Sequence, residues 1–257
     1  MRIHPVAFWA LVLLSAAAIW GWFSSRLILN MPRMRDIVTP QNLRIPSENI
    51  SFYSGKRKLY GWFVPSSQPS RSTIIICHGW GASKGDVLPS TLFLRQNHNL
   101  FYFDFTNHGE SEGVKSSMGR FESEDIIAAA QYLRLNKQTM SEKIGALGFS
   151  MGAVAAIIAA AQEDKIAAVA AESPFYSFNE ITTHYARRFL RLPYFPFVPL
   201  ALMTVRIRLG FDPEKYSPRF FVHKISPRPI LMIASPGDEN IPVEMTRKLF
   251  AAAADPK

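Results

Sequence analysis

The chain contains one cysteine, Cys77, which excludes any disulfide within it. Cys77 ends the run Thr73–Cys77, which reads as a buried strand, and a thiol there is core packing rather than a nucleophile. No histidine follows Asp238 before the chain reaches Lys257, and no charged residue occurs from Pro5 to Phe23. No internal repeat is present, which excludes solenoids and propellers. Acidic residues are outnumbered, 20 against 29 Lys and Arg, for a formal charge of +9. The excess is uneven: residues 1–58 carry eight basic against two acidic side chains, and residues 175–228 carry nine against three. No basic stripe interleaved with stacking aromatics and no nucleic-acid module accompanies these blocks, so a nucleic-acid partner is excluded. Anionic lipid headgroups are the simpler partner for the first block, which follows an apolar segment. For the second block, solvated surface charge is an equal reading.

The uncharged stretch from Pro5 to Phe23 spans about 28 Å as a helix, close to the thickness of a bilayer core. Trp20, Trp22 and Phe23 precede Arg26 at its far end, where interfacial aromatics and a basic anchor are expected. Residues 1–26 therefore read as a single-pass N-terminal membrane anchor and residues 27–47 as a linker. A cleaved signal peptide is the competing reading, because Ala16-Ala17-Ala18 holds an A-x-A pattern behind a shorter apolar core. Arg26, Arg33 and Arg35 outweigh Arg2, which favours a cytoplasmic domain under the positive-inside rule.

A hydrophobic fraction of 48% and a charged fraction of 19% fit one large globular domain, placed at residues 48–257. Ile50–Tyr53 and Leu59–Val64, joined by Ser54-Gly55-Lys56, read as a hairpin. Ile74–Cys77, Leu100–Phe105, Ile144–Leu147, Ile166–Ala171 and Ile230–Ala234 are short apolar runs suited to strands buried on both faces. Helices are expected at Phe121–Leu135, Met151–Gln162 and Val243–Ala254. This alternation implies a mostly parallel sheet with helices on both faces. The aromatic, basic stretch of about 175–228 breaks the alternation and reads as a cap or lid, with Ile181, Tyr185 and Phe189 on one helical face.

Gly148-Phe149-Ser150-Met151-Gly152 lies between a strand and an alanine-rich helix, the setting of a strained turn that thrusts a serine hydroxyl outward. Ser150 is the candidate nucleophile. His78-Gly79-Trp80-Gly81 follows another strand end, and the backbone N–H groups of Trp80 and Met151 are the candidate oxyanion hole; losing one such donor costs about 100- to 1000-fold in rate. Asp104–Gly113 is a tight loop bordering the same end. Asp238, after the strand Ile230–Ala234, is the candidate acid that orients an imidazole, with Glu239 as fallback.

These four ordered motifs resemble those of the α/β-hydrolase superfamily, and more narrowly the membrane-anchored bacterial serine hydrolases related to the serine aminopeptidase group. The resemblance covers about residues 45–257. It implies an eight-stranded sheet, acyl-enzyme chemistry on an ester, thioester or amide, and no cofactor or metal. It also implies a histidine on a loop one strand beyond Asp238, which this sequence lacks. The chain thus reads as C-terminally truncated, with the last strand and helix missing. Loss of the histidine alone removes about a millionfold in turnover in a comparable hydrolase, so the chain is expected to be inactive as written. The alternative is a non-catalytic, membrane-tethered binding protein that keeps the pocket. The expected substrate is a small or acylated molecule, with membrane lipid as a further partner.

Overall fold

The computed structural model describes residues 4–257. Seven strands form one sheet in the order β1-β2-β4-β3-β5-β6-β7. β1 (Glu48–Ser54) and β2 (Arg57–Val64) make the expected hairpin. Its turn residue Gly55 adopts φ 59°, which suits glycine. β2 pairs antiparallel with β4 (Asn99–Phe103), and all later pairings are parallel: β4 with β3 (Ser72–Cys77), β3 with β5 (Lys143–Phe149), β5 with β6 (Ile166–Glu172), and β6 with β7 (Ile230–Ile233). From β3 the chain moves to β4 on one side and then to β5 on the other. That reversal opens a crevice at the carboxyl ends of β3 and β5, where open α/β sheets place their sites.

Register brings the loops together. Cys77 lies opposite Gly148, Phe149 opposite Glu172, and Glu172 opposite Ile233, so the segments after β3, β5, β6 and β7 leave the sheet side by side. On one face α3 (Arg120–Asn136), α4 (Met151–Gln162) and α7 (Val243–Ala252) close over the main core. Every residue of α4 from Met151 to Ala160 is buried, the state that an apolar-all-round helix requires. On the other face α2 (Lys84–Thr91) and the following 3-10 turn cover Trp62, Ile76, Leu100 and Tyr102. Toward β7 that face is open: Leu231 and Ile233 are 58% and 42% exposed, and a groove of about 730 Å³ runs over β3, β5, β6 and β7. β7 is an edge strand.

The insertion after β6 forms α5 (Phe178–Arg188) and α6 (Phe197–Leu209). α1 (Pro5–Leu29) runs beyond residue 26, the expected end of the anchor. Its last turns are part of the domain: the Trp20 indole donates to the Phe197 carbonyl at 2.9 Å, Arg208 donates to Ser25 and Asn30, and a side chain at Gly21 would meet Thr204 Oγ1 at 2.3 Å. Small residues at that crossing let the two backbones approach closely. The segment 27–47, expected as a linker, is packed as well. Leu29 is buried, Val38 and Ile45 lie against the second core, and Asp36 reaches α2.

Candidate active site

Ser150 sits at the junction of β5 and α4 with φ 52° and ψ −113°, a conformation costly for a residue with a side chain. Two contacts hold it there: its N–H donates to the Glu172 carbonyl at 2.8 Å, and its carbonyl accepts from Val154 at 3.1 Å. The flanking glycines are required by space. A Cβ on Gly148 would lie 2.3 Å from the Gly152 backbone, and one on Gly152 would lie 2.2 Å from the Cys77 carbonyl. The chain can bend this sharply only because neither residue has a side chain. Ser150 is half-buried and opens into a cavity of about 750 Å³.

Gly79 and Trp80 face Ser150 across that cavity, with the Cβ position of Gly79 3.7 Å from Ser150 Cβ. Among the described residues the amides of Trp80 and Met151 take no intramolecular acceptor. Two histidines shape their loop. His78 Nδ1 lies 2.8 Å from the Gly79 carbonyl and must donate to it, while Nε2 accepts from the Phe105 N–H at 3.1 Å. His108 Nδ1 likewise donates to Thr106 O at 3.0 Å, and its Nε2 accepts from the Gly81 N–H at 3.2 Å. Burial, with His108 beside it, pushes His78 down to about 3, and burial lowers His108 as well. Both rings are therefore neutral, with no free nitrogen to take a proton from Ser150.

Asp238 lines the same cavity. Its Oδ1 accepts from the amides of Asn240 and Ile241 at 2.9 Å each, and its Oδ2 accepts from Ser173 Oγ at 2.8 Å. The carboxylate is thereby fixed in its turn. Glu239, the fallback, points to the cap instead: its carboxylate pairs with Arg188 and its carbonyl accepts from His184 Nε2 at 3.0 Å. Among the described residues no imidazole lines the cavity with Ser150 and Asp238. Burial raises the pKa of the Cys77 thiol, which keeps it protonated and inert.

Two contributors were not singled out in the sequence, Lys84 and the last turns of α1. Lys84, wholly buried, donates through Nζ to Asp36 at 2.6 Å, Asp104 at 2.7 Å and Glu110 at 2.8 Å. Its backbone N–H also donates to Asp104 Oδ1 at 2.8 Å. Burial opposes the ammonium charge, but Asp104, then Asp36 and Glu110, outweigh it and the pKa is raised. The three carboxylates converge as metal ligands can, and the ammonium takes the central place. This knot ties the Asp104–Gly113 loop to the loop after His78. The remaining walls come from α1, α5 and α6, including Trp20, Ser24, Ile28, Tyr185 and Phe197. The Trp80 indole donates to the Ile28 carbonyl at 3.1 Å, so α1 touches the loop that borders the serine.

A mostly parallel sheet with a strained strand–serine–helix bend at its carboxyl end defines the α/β-hydrolase fold. The architecture is shared with esterase Pf2001 of Pyrococcus furiosus, at a TM-score of 0.72 and 25% identity over 88% of this chain and 84% of that one. It is also shared with an acylaminoacyl peptidase of Pyrococcus horikoshii, at a TM-score of 0.58 and 19% identity over 81% of this chain and 34% of that one. Residues 108–256 match the prolyl oligopeptidase family, and the chain belongs to that family. The protein YqkD of Bacillus subtilis is 34% identical over 197 residues, 76% of this chain. Rv2307c of Mycobacterium tuberculosis is 26% identical over 266 residues, 100% of this chain and 85% of its own length. The chain spans 63% of the length of YqkD and 66% of that of the Escherichia coli relative YfhR.

Proposed function

We propose that the protein is a serine hydrolase working through an acyl-enzyme, with Ser150 as nucleophile on an ester, thioester or amide carbonyl. The observation that carries this reading is the strained, positive-φ backbone of Ser150, held between two glycines whose side-chain positions are filled by backbone and opening into the cavity. Strain of this kind persists where the surroundings enforce it and is concentrated at functional sites. In the proposed step Ser150 Oγ attacks the carbonyl carbon, its proton passes to an imidazole, and the leaving group departs with that proton. The charge that develops on the carbonyl oxygen is held by the Trp80 and Met151 amides, whose lack of other acceptors supports this role. Asp238 holds the imidazole in its tautomer.

His78 and His108 are spent on the backbone, and His184 is bound to the Glu239 carbonyl on the cap. The proton acceptor in this reading is an imidazole from outside these 257 residues. The chain alone then turns over at about a millionth of the complete rate. The test is ester hydrolysis by the 257-residue chain and by the product of its reading frame continued past Lys257. A pre-steady-state burst in the second, abolished by Ser150→Ala, is the expected result. A stop codon directly after Lys257, with no burst, would leave a binding pocket and refute the proposal.

A further inference from the structure

α1 is long and apolar enough to cross a membrane over Phe8–Leu29, yet its final third is built into the domain. The residues it turns inward are Trp20, Gly21, Ser24, Ser25, Ile28 and Leu29, at helical spacing. Only Pro5–Ile19, ahead of the first docked residue Trp20, projects from the domain, and a helix of that length reaches about 22 Å against a hydrocarbon core of about 30 Å. If α1 lies in a bilayer, something besides α1 must go in with it.

The packing identifies what that is. Trp20 meets Phe197, Gly21 meets Thr204 and Ser25 meets Arg208, so α1 and α6 run in the same direction. The start of α6, and with it the α5–α6 loop of residues 189–196, therefore lies where α1 leaves the domain. That loop exposes Phe189, Leu190, Tyr194 and Phe195, the last at 76% of its surface. A soluble surface does not expose such a cluster without a partner. Arg187 and Arg191 are exposed beside it and, among the described residues, make no ion pair. Apolar tips rimmed by arginine fit the depth of about 5–10 Å that interfacial segments reach in anionic bilayers, which supplies much of the missing length.

We propose that the α5–α6 loop is a membrane-insertion element that sinks into the leaflet with α1, and that the Ser150 cavity receives an acyl chain directly from that leaflet. The cavity is walled by Trp20, Ile28, Tyr185 and Phe197, contributed by the same three helices, so the inserted loop and the serine share one apolar space. The acyl-substrate half rests on the serine hydrolase reading; the insertion half does not.

The experiment uses the whole chain reconstituted in vesicles of phosphatidylcholine and phosphatidylglycerol. An environment-sensitive fluorophore is placed at Phe195→Cys, with Leu135→Cys, 75% exposed on α3, as the aqueous control. Cys77 is buried and does not compete for label. Nitroxides on the lipid acyl chains are expected to quench the label at 195 several-fold more than that at 135. Equal quenching at the two positions overturns the inference, and so does a label at 195 shielded from iodide but not quenched by lipid, which marks a protein contact. A phospholipid bearing a diazirine at its acyl end is then expected to crosslink to Tyr185 or Phe197. Crosslinks with no ester turnover by any form of the protein would keep the inference and sink the hydrolase reading. Absence of crosslinks to the cavity wall, with quenching intact, overturns the delivery of acyl chains.

Discussion

Lys84→Met removes an ammonium from the middle of three carboxylates while keeping most of the side-chain volume. Lys84 and Asp104 are both fully buried, 2.7 Å apart, and Asp36 is nearly so. Glu110 is 67% exposed, and its share is that of a surface pair. Breaking a buried pair by deleting one partner costs about 3–5 kcal/mol. Asp104 keeps two backbone donors, Lys84 N–H and Glu110 N–H, which points to the lower end of that range. A loss of about 3 kcal/mol lowers Tm by roughly 6–12 °C for a domain of this size. The sign with pH is also determined. Because the folded pKa of Lys84 is raised, its contribution is complete below the ordinary lysine value and is lost only as pH rises through the higher one. The gap between the two proteins should thus be constant from about pH 6 to 9. Tryptophan-monitored thermal and urea unfolding in one detergent measures it, with Asp104→Asn and the double variant closing a cycle. A loss below about 1 kcal/mol, the worth of an exposed pair, or strict additivity in the cycle, would refute the claim that this knot holds the loops.

Gly152→Ala should destabilise by at least about 1–3 kcal/mol, because the new methyl meets the Cys77 and His78 carbonyls at 2.2 and 2.5 Å and neither backbone atom can yield. Gly145→Ala, whose nearest contact is an ordinary 3.8 Å, serves as control and should cost under about 1 kcal/mol in the same unfolding assay. Asp125 is raised by burial to about 6 in the folded state from 3.8, so it binds its proton more readily folded than unfolded. Its contribution to stability should therefore rise as pH falls from about 7 to 4, by on the order of 2–3 kcal/mol, and Asp125→Asn should flatten that slope in urea titrations. The exposed β7 edge should make the 257-residue chain self-associate even without residues 1–26, and Ile233→Lys should reduce light scattering.

The strand runs of β3, β5 and β6 were legible because they are short, unbroken apolar sequence, and the bend at Ser150 because its flanks are glycines for which a side chain has no room. α6 was not. It carries apolar residues on its open side too, Met203 and Ile207, beside the buried Val198, Leu202 and Val205, so its apolar residues face all round and show no helical period. α2 carries Pro89 in its interior, which reads locally as a stop. The packed path of residues 27–47 was hidden for another reason: its anchors are single contacts, Asp36 with Lys84 and Leu29 with the core, made over long sequence separations. The histidines of the site were visible as loop residues, but their fixed tautomers also depend on amides 27 residues away, Phe105 for His78 and Gly81 for His108.

The central claim is that Ser150 presents a reactive hydroxyl to the cavity. It is tested most directly by treating the protein, in its 257-residue form and continued past Lys257, with a fluorophosphonate and mapping the adduct by peptide mass spectrometry. One adduct is expected, on the peptide containing Ser150, formed rapidly only where the imidazole is supplied and absent from Ser150→Ala. An unmodified Ser150 in every form, or equal labelling of Ser150→Ala, would contradict it.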